Sequence, residues 1–145
     1  MSDLGRYEEA IYCYNKAIEI NPTYESAWVN KGFCLLALER DEKAIESLDK
    51  AIELDSTDEI AWYNKGACLH NLGRYEEALE SYDKAIELKP SYEEARHYKS
   101  LCLSELRKQK AARDAPSCPF CGSKNIKTDY GRKETYCGDC GIIIK

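Results

Sequence analysis

The chain has 145 residues, 43% of them hydrophobic and 32% charged, enough for one ordinary domain or for a medium domain and a very small one. Residues 1–106 hold 12 Lys and Arg against 22 Asp and Glu, a net −10, whereas residues 107–145 hold 9 against 4, a net +5, so the long segment disfavours phosphate and only the short one suits it. No run reaches the roughly 18 apolar residues that span a bilayer, and MSDLGRYEEA lacks the basic start and apolar run of a secretory signal, so a cytoplasmic protein without a membrane partner is expected.

From the N-terminus, LGRYEEAIYCYNKAIEINP (4–22) returns as LERDEKAIESLDKAIELDS (38–56) and LGRYEEALESYDKAIELKP (72–90), each time 34 residues on. AWVNKGFCLLA (27–37) and AWYNKGACLHN (61–71) alternate with them, and ARHYKSLCLSE (95–105) is a decayed third copy. A period of this length marks stacked supersecondary units. Ala44, Ile45, Leu48, Ala51 and Ile52 fall on one helical stripe, with Glu42, Glu46, Asp49 and Glu53 on the wet side. Pro22 and Pro90 close their helices, Thr57-Asp58 offers an N-cap, and Gly5 and Gly73 read as turns between paired helices. Neither helix of a unit can bury its stripe alone, so the units must stack into a solenoid.

The expected organisation is mainly α. An array over 1–112 has a partial first repeat at 1–24, full repeats at 25–58 and 59–92, and a capping helix at 93–112. A linker at 113–117, stopped by Pro116, leads to a separate module at 118–145. The first repeat lacks its first helix, which would leave Tyr7, Ile11 and Tyr14 partly uncovered. Two explanations stand: the chain is a fragment of a longer protein, or it forms a dimer, in place of a monomer, through the open N-terminal end.

Cys34, Cys68 and Cys102 are spaced by 34 and so share one repeat position. They are expected to pack as small hydrophobes, as is Cys13 beside its helical stripe. The last four cysteines differ. Cys118-Pro-Phe-Cys121 and Cys137-Gly-Asp-Cys140 flank 15 residues, the spacing of a four-sulfur metal site. Gly122 and Gly141 follow the pairs, where positive φ lets backbone N–H groups turn toward the sulfurs. Strands are expected at Ile126–Tyr130, at Glu134–Tyr136 and from Gly141 to the end, with a turn at Gly131-Arg132-Lys133. A ribbon this small needs its metal to fold. One structural Zn²⁺ is the leading expectation, and iron in the same cage is the alternative. Disulfides are disfavoured without a secretory signal, and a redox Cys-x-x-Cys is normally single. A closed four-cysteine set leaves no position for a reactive water, so an enzyme is not expected.

The 34-residue unit resembles the tetratricopeptide repeat (TPR) family, in Trp62, Gly66, Tyr75, Ala78, Tyr82, Ala85 and Pro90 and again in Trp28, Gly32, Ala44, Leu48 and Ala51. Asp41 and Ser56 depart from the pattern. The resemblance implies a helix-turn-helix solenoid whose first helices line a concave groove for a peptide or helix. Family positions facing that groove fall on Val29, Asn30, Phe33 and Leu36, on Tyr63, Asn64, Ala67 and His70, and on His97, Tyr98 and Leu101. In the family, asparagines at the places of Asn30 and Asn64 hold peptide backbone. The carboxylate clamp of chaperone-tail binders is absent: Val29 or Tyr63, Phe33 or Ala67, Ile60 or Glu94, and Tyr98 stand where it needs Lys, Asn, Lys and Arg. His70 and His97, the only histidines, read as partly exposed groove residues rather than a catalytic set.

Residues 118–144 resemble the zinc ribbon of archaeal and eukaryotic transcription initiation factor B, with paired knuckles, Gly-Ser after the first, an Asp-Tyr strand and a Cys-Gly-aliphatic end. The resemblance implies a three-stranded β zinc ribbon that contacts protein or nucleic acid. Lys124, Lys127, Arg132 and Lys133 are the candidate phosphate contacts. The combined expectation is a non-enzymatic adaptor: a TPR groove for a protein segment, with a zinc ribbon as second recognition module. The rival is a nucleic-acid- or transcription-associated protein acting through the basic ribbon.

Overall fold

The computed structural model describes residues 3–144. Six helices are followed by three strands: α1 (Asp3–Ile20), α2 (Glu25–Ala37), α3 (Asp41–Leu54), α4 (Glu59–Asn71), α5 (Tyr75–Leu88), α6 (Glu93–Asp114), β1 (Ile126–Asp129), β2 (Glu134–Cys137) and β3 (Ile143–Ile144). The chain divides into two units, Met1–Leu106 and Arg107–Lys145.

In the first unit each 34-residue period folds into an antiparallel helix pair, and the pairs stack as the stripes require. One core cluster joins Ile11, Val29, Leu35, Ala44, Leu48 and Ala51 across α1 to α3, and a second joins Leu69, Ala78, Tyr82, Ala85, Ala95 and Cys102 across α4 to α6. Leu48 and Tyr82 are the largest members and are fully buried, each contributing about 1.5–3 kcal/mol of apolar transfer.

The repeat also fixes how helices start and stop. The Asp58 carboxylate accepts from the Ile60 N–H at 2.8 Å, capping α4 as expected. The indole N–H of Trp28 donates to the Pro22 carbonyl, and that of Trp62 to the Ser56 carbonyl, both at 2.9 Å. Each tryptophan thus ties its helix to the loop before it. Between α4 and α5, Gly73 takes φ +74 while Arg74 N–H reaches the Leu69 carbonyl. One period earlier Glu39 makes the same turn at φ 57 without glycine's freedom. Gly5 sits inside α1, not in a turn, because no described helix precedes α1 for the chain to turn from. Two inter-repeat ion pairs also recur at the period: Lys65 with Asp49 at 2.7 Å and Lys99 with Asp83 at 2.5 Å.

α6 runs to Asp114, two residues into the expected linker. Pro116 disfavours helix at the residue before it, which sets the end there and leaves residues 115–117 as the join. In the second unit β1, β2 and β3 form an antiparallel sheet in that order, with Ile126 opposite Cys137 and Thr135 opposite Ile144. The hairpin tip turns on Asp129, whose carboxylate accepts from the N–H groups of Gly131 and Arg132. The positive φ of that turn falls on Lys133 rather than on Gly131.

Candidate metal centre and binding groove

The two Cys-x-x-Cys pairs fold alike. Gly122 N–H donates to the Cys118 carbonyl at 2.9 Å and Gly141 N–H to the Cys137 carbonyl at 2.8 Å, with both glycines near φ +70 (72 and 71). Each knuckle then closes with its first cysteine's N–H on a carbonyl beyond the turn, Ser123 or Ile142. The four sulfurs lie within 4.8 Å of one another, with Cys118 to Cys140 and Cys121 to Cys137 each at 3.5 Å. That is too long for a disulfide at about 2.05 Å. It is close to the ~3.8 Å sulfur separation of a tetrahedron with 2.3 Å Zn–S bonds. The N–H groups of Cys121 and Phe120 hold the Cys118 thiol below its ordinary value, and those of Cys140 and Asp139 hold Cys137 at about 6. Such donors favour thiolate, the form a metal needs, at the first cysteine of each pair, while desolvation and the neighbouring sulfurs push Cys121 and Cys140 up, Cys140 to about 12. The residues present therefore fit one structural Zn²⁺ on Cys118, Cys121, Cys137 and Cys140.

A brace between the knuckles was not legible in the sequence. The Asp139 carboxylate accepts from Ser123 Oγ and from Asn125 Nδ2, the latter at 2.7 Å, while Gly138 N–H donates to the Asn125 carbonyl. Asp139 lies between the second pair of cysteines and its partners follow the first, so the carboxylate stitches one metal-binding turn to the other. These two hydroxyl and amide donors hold the Asp139 carboxyl low.

Of the four candidate phosphate contacts, all are exposed but two are engaged. Within the second unit, Lys124 Nζ donates to the carbonyls of Ala112 and Arg113, the last-turn acceptors that a lysine commonly satisfies. Arg132 Nε lies 4.0 Å from the Asp129 carboxylate. Lys127 stands on β1 and Lys133 at the hairpin tip.

The groove residues separate by burial. Asn30, Phe33, His97 and Leu101 are exposed, while Leu36, Tyr63, Ala67, His70 and Tyr98 are half-buried. Val29 is a correction: it is 6% exposed and packs in the first core cluster with Ile11 and Leu35, so it does not line open groove. Asn64 is 4% exposed, and its amide, unpaired within the described residues, keeps its polar atoms in reach of solvent. The preceding residue, Tyr63, meets Tyr92 at 4.9 Å and Tyr98 at 6.1 Å between ring centroids. His70 is less free than expected, because its Nδ1 lies 3.1 Å from Cys102 Sγ and its ring stands edge-on to Tyr75.

Cys34, Cys68 and Cys102 are buried as expected. Burial raises all three thiols, Cys68 to about 12 with the Asp41 carboxylate adding to the effect, which makes them inert. Cys13 is a second correction. It is exposed, because the helix that covers its repeat counterparts Ser47 and Ser81 has no equivalent over α1 among the described residues.

Comparisons with known proteins agree with both units. The TPR repeat family matches residues 3–38 and 34–73, the tetratricopeptide repeat family residues 60–92, and the TFIIB zinc-binding family residues 116–145. The first TPR domain of the human RPAP3 protein superposes with a TM-score of 0.71 at 26% identity, over 74% of this chain and 85% of that one. The first TPR of Spaghetti (RPAP3), bound to the HSP90 peptide SRMEEVD, gives 0.70 at 27%, over 71% and 82%. Over the ribbon, transcription initiation factor IIB of Methanosarcina mazei is 45% identical across 38 residues, 26% of this chain. The chain spans only 11% of that relative's length. The chain belongs to the tetratricopeptide repeat proteins and ends in a TFIIB-type zinc ribbon.

Proposed function

We propose that the protein is a non-enzymatic adaptor that takes an extended protein segment in the concave face of its repeats and uses the ribbon as a second recognition module. The observation that carries the reading is Asn64 on α4, 4% exposed, whose amide makes no hydrogen bond within the described residues and keeps its polar atoms in reach of solvent and of a ligand. Pairing such an amide with a ligand's backbone contributes about 0.5–1.5 kcal/mol net. Exposed Asn30, Phe33, His97 and Leu101 extend the same face with apolar and uncharged polar surface. The RPAP3 relative is bound to the HSP90 peptide SRMEEVD, which carries three acidic residues. Here Val29, Tyr63, Glu94 and Tyr98 occupy the places where a clamp for such a tail needs other groups, so the segment is an apolar, internal one.

Selection of a displayed random-peptide library on the full chain tests this. Apolar segments without a terminal acidic requirement are expected, with binding weakened at least about tenfold in Asn64→Ala and in Phe33→Ser. Selection of acidic C-terminal tails would contradict it.

A second reading, a transcription-linked role through the ribbon, is favoured by its 45% identity to the archaeal initiation factor. It requires that partners be lost when the ribbon's cysteines are replaced. If nucleic acid is the partner, binding falls steeply with added salt.

A further inference from the structure

The repeat lets each pocket be compared with its own copy. Between α4 and α5 a pocket is lined in part by Lys65, Leu69, Glu77, Glu80 and Ser81. One period earlier the matching residues, Lys31, Leu35, Lys43, Glu46 and Ser47, line a pocket of about 280 Å³, joined there by Asn15 and Arg40. The pocket recurs where α2 and α3 precede it, so its opening belongs to the repeat and does not depend on what lies before α1.

The two pockets differ in charge at two places, and both differences run the same way. Asn15 stands where α3 has Asp49, and Lys43 where α5 has Glu77. At those places the later repeat answers its cations: Lys65 pairs with Asp49 at 2.7 Å and Arg74 with Glu77 at 2.5 Å. Lys99 finds Asp83 in the same way one period on. In the earlier pocket neither Lys31 nor Lys43 has a carboxylate within ion-pair distance among the described residues. Lys31, Arg40 and Lys43 against Glu46 leave a net +2, whereas Lys65 and Arg74 against Asp49, Glu77 and Glu80 leave −1. Counting Glu8, which pairs with Arg40 at 2.5 Å, still leaves the earlier pocket at +1. A positive pocket therefore sits in a helical segment that is otherwise strongly acidic.

Its lining also supplies donors that nothing else uses. Lys31 is half-buried, with its ammonium 5.3 Å from the centre of the Trp28 ring. Burial holds that ammonium below its ordinary value, and Glu46 offsets the shift only in part. A bound anion would complete the compensation. Half-buried Asn15 makes no hydrogen bond among the described residues, which leaves its amide N–H groups free. The Ser47 hydroxyl is already committed, donating to the Lys43 carbonyl at 3.2 Å. Two ammonium groups and an amide suit a ligand that offers several acceptor oxygens and negative charge. We propose that this pocket binds a small, free phosphoryl compound, its phosphate held by Lys31, Lys43 and Asn15. None of these residues belongs to the peptide groove, so the site stands or falls apart from the function proposed above.

Calorimetric titration of the full, zinc-loaded chain with inorganic phosphate tests it, at constant ionic strength and with acetate as the control. One site per chain is expected, at least about tenfold tighter for phosphate than for acetate. Lys43→Glu and Asn15→Asp write the later repeat's residues into the earlier pocket. Each should weaken phosphate by roughly tenfold, with unchanged helical circular dichroism, since the repeat already folds around those residues. Conversely, Asp49→Asn with Glu77→Lys should raise the stoichiometry from one to two. Absence of phosphate binding, or acetate bound as tightly, would overturn the proposal. So would binding that survives both Lys43→Glu and Asn15→Asp, or an unchanged stoichiometry in the converse variant.

Discussion

Gly66 lies against the ring of Tyr82 so closely that a Cβ on it would stand 2.7 Å from Cε1. The contact sets the spacing of α4 and α5, and the Gly32–Leu48 contact does the same for α2 and α3. Gly66→Ala is expected to destabilise the array by about 1–3 kcal/mol, because the ring is locked among Tyr63 and Tyr98 and cannot retreat. Ser100→Gly, with no second helix against it, should change stability by less than about 1 kcal/mol, the cost of a helical glycine. Urea unfolding monitored by helical circular dichroism separates the two.

Tyr82 also buries a hydroxyl that has no hydrogen-bond partner, and burial raises its phenol far above the ordinary value. Tyr82→Phe removes that unpaired group without changing the ring, so stability should hold or rise by up to about 1–2 kcal/mol. A loss of stability on thermal unfolding would show that the hydroxyl is paired in solution.

Glu39 turns the chain at φ 57 where its repeat counterpart is Gly73. Removing the left-handed strain in Glu39→Gly is expected to add about 1 kcal/mol, less the extra chain entropy of glycine. The midpoint of urea unfolding should rise with an unchanged slope.

Much of this was legible from the sequence, and the reasons differ by residue. The period of 34 fixed which segments pair, because a stripe such as Ala44, Leu48 and Ala51 can be closed only by a neighbouring helix. The four-cysteine spacing fixed the metal ligands, since two knuckles suffice to make a cage. Val29 was misplaced because a family position gives a direction, not the local tilt that carries it into the core. The Asp139 brace and the His70–Cys102 contact were missed because side-chain pairing across 14 to 32 residues leaves no periodic mark.

Zinc removal should act on one unit only. Chelation, or Cys137→Ser with Cys140→Ser, is expected to abolish the ribbon's fold, because a small core relies on roughly 10–16 kcal/mol of metal binding. The thermal unfolding of the helices should be unaffected. Asp139→Ala, which unties the two knuckles, should leave the ribbon folded but speed zinc transfer to a chromogenic chelator by roughly tenfold, because the turns that hold the ligating sulfurs lose their brace.

The pH dependence has a definite sign at Glu25. Burial raises its carboxyl above the ordinary 4.5, and Asp58 and Asp55 add to the shift. Between those two values the folded chain holds a proton that the unfolded chain has lost, so stability falls as pH rises through that window and stays lowered above it. Glu25→Gln should therefore stabilise the array at pH 7, by about 0.2–1 kcal/mol for a partly solvated group, and make no difference near pH 4. Melting temperatures at the two pH values check it.

The central claim, that the concave face of the repeats carries recognition while the ribbon is a second, separable module, meets its most direct test in a nuclease-treated capture with three proteins. These are the intact chain, Asn64→Ala with Phe33→Ser, and Cys137→Ser with Cys140→Ser. The account expects a protein retained by the intact chain and by the ribbon variant, and lost by the groove variant. Retention by the groove variant with loss by the ribbon variant, or loss of all binding on nuclease treatment, would contradict it and leave the ribbon as the recognition element.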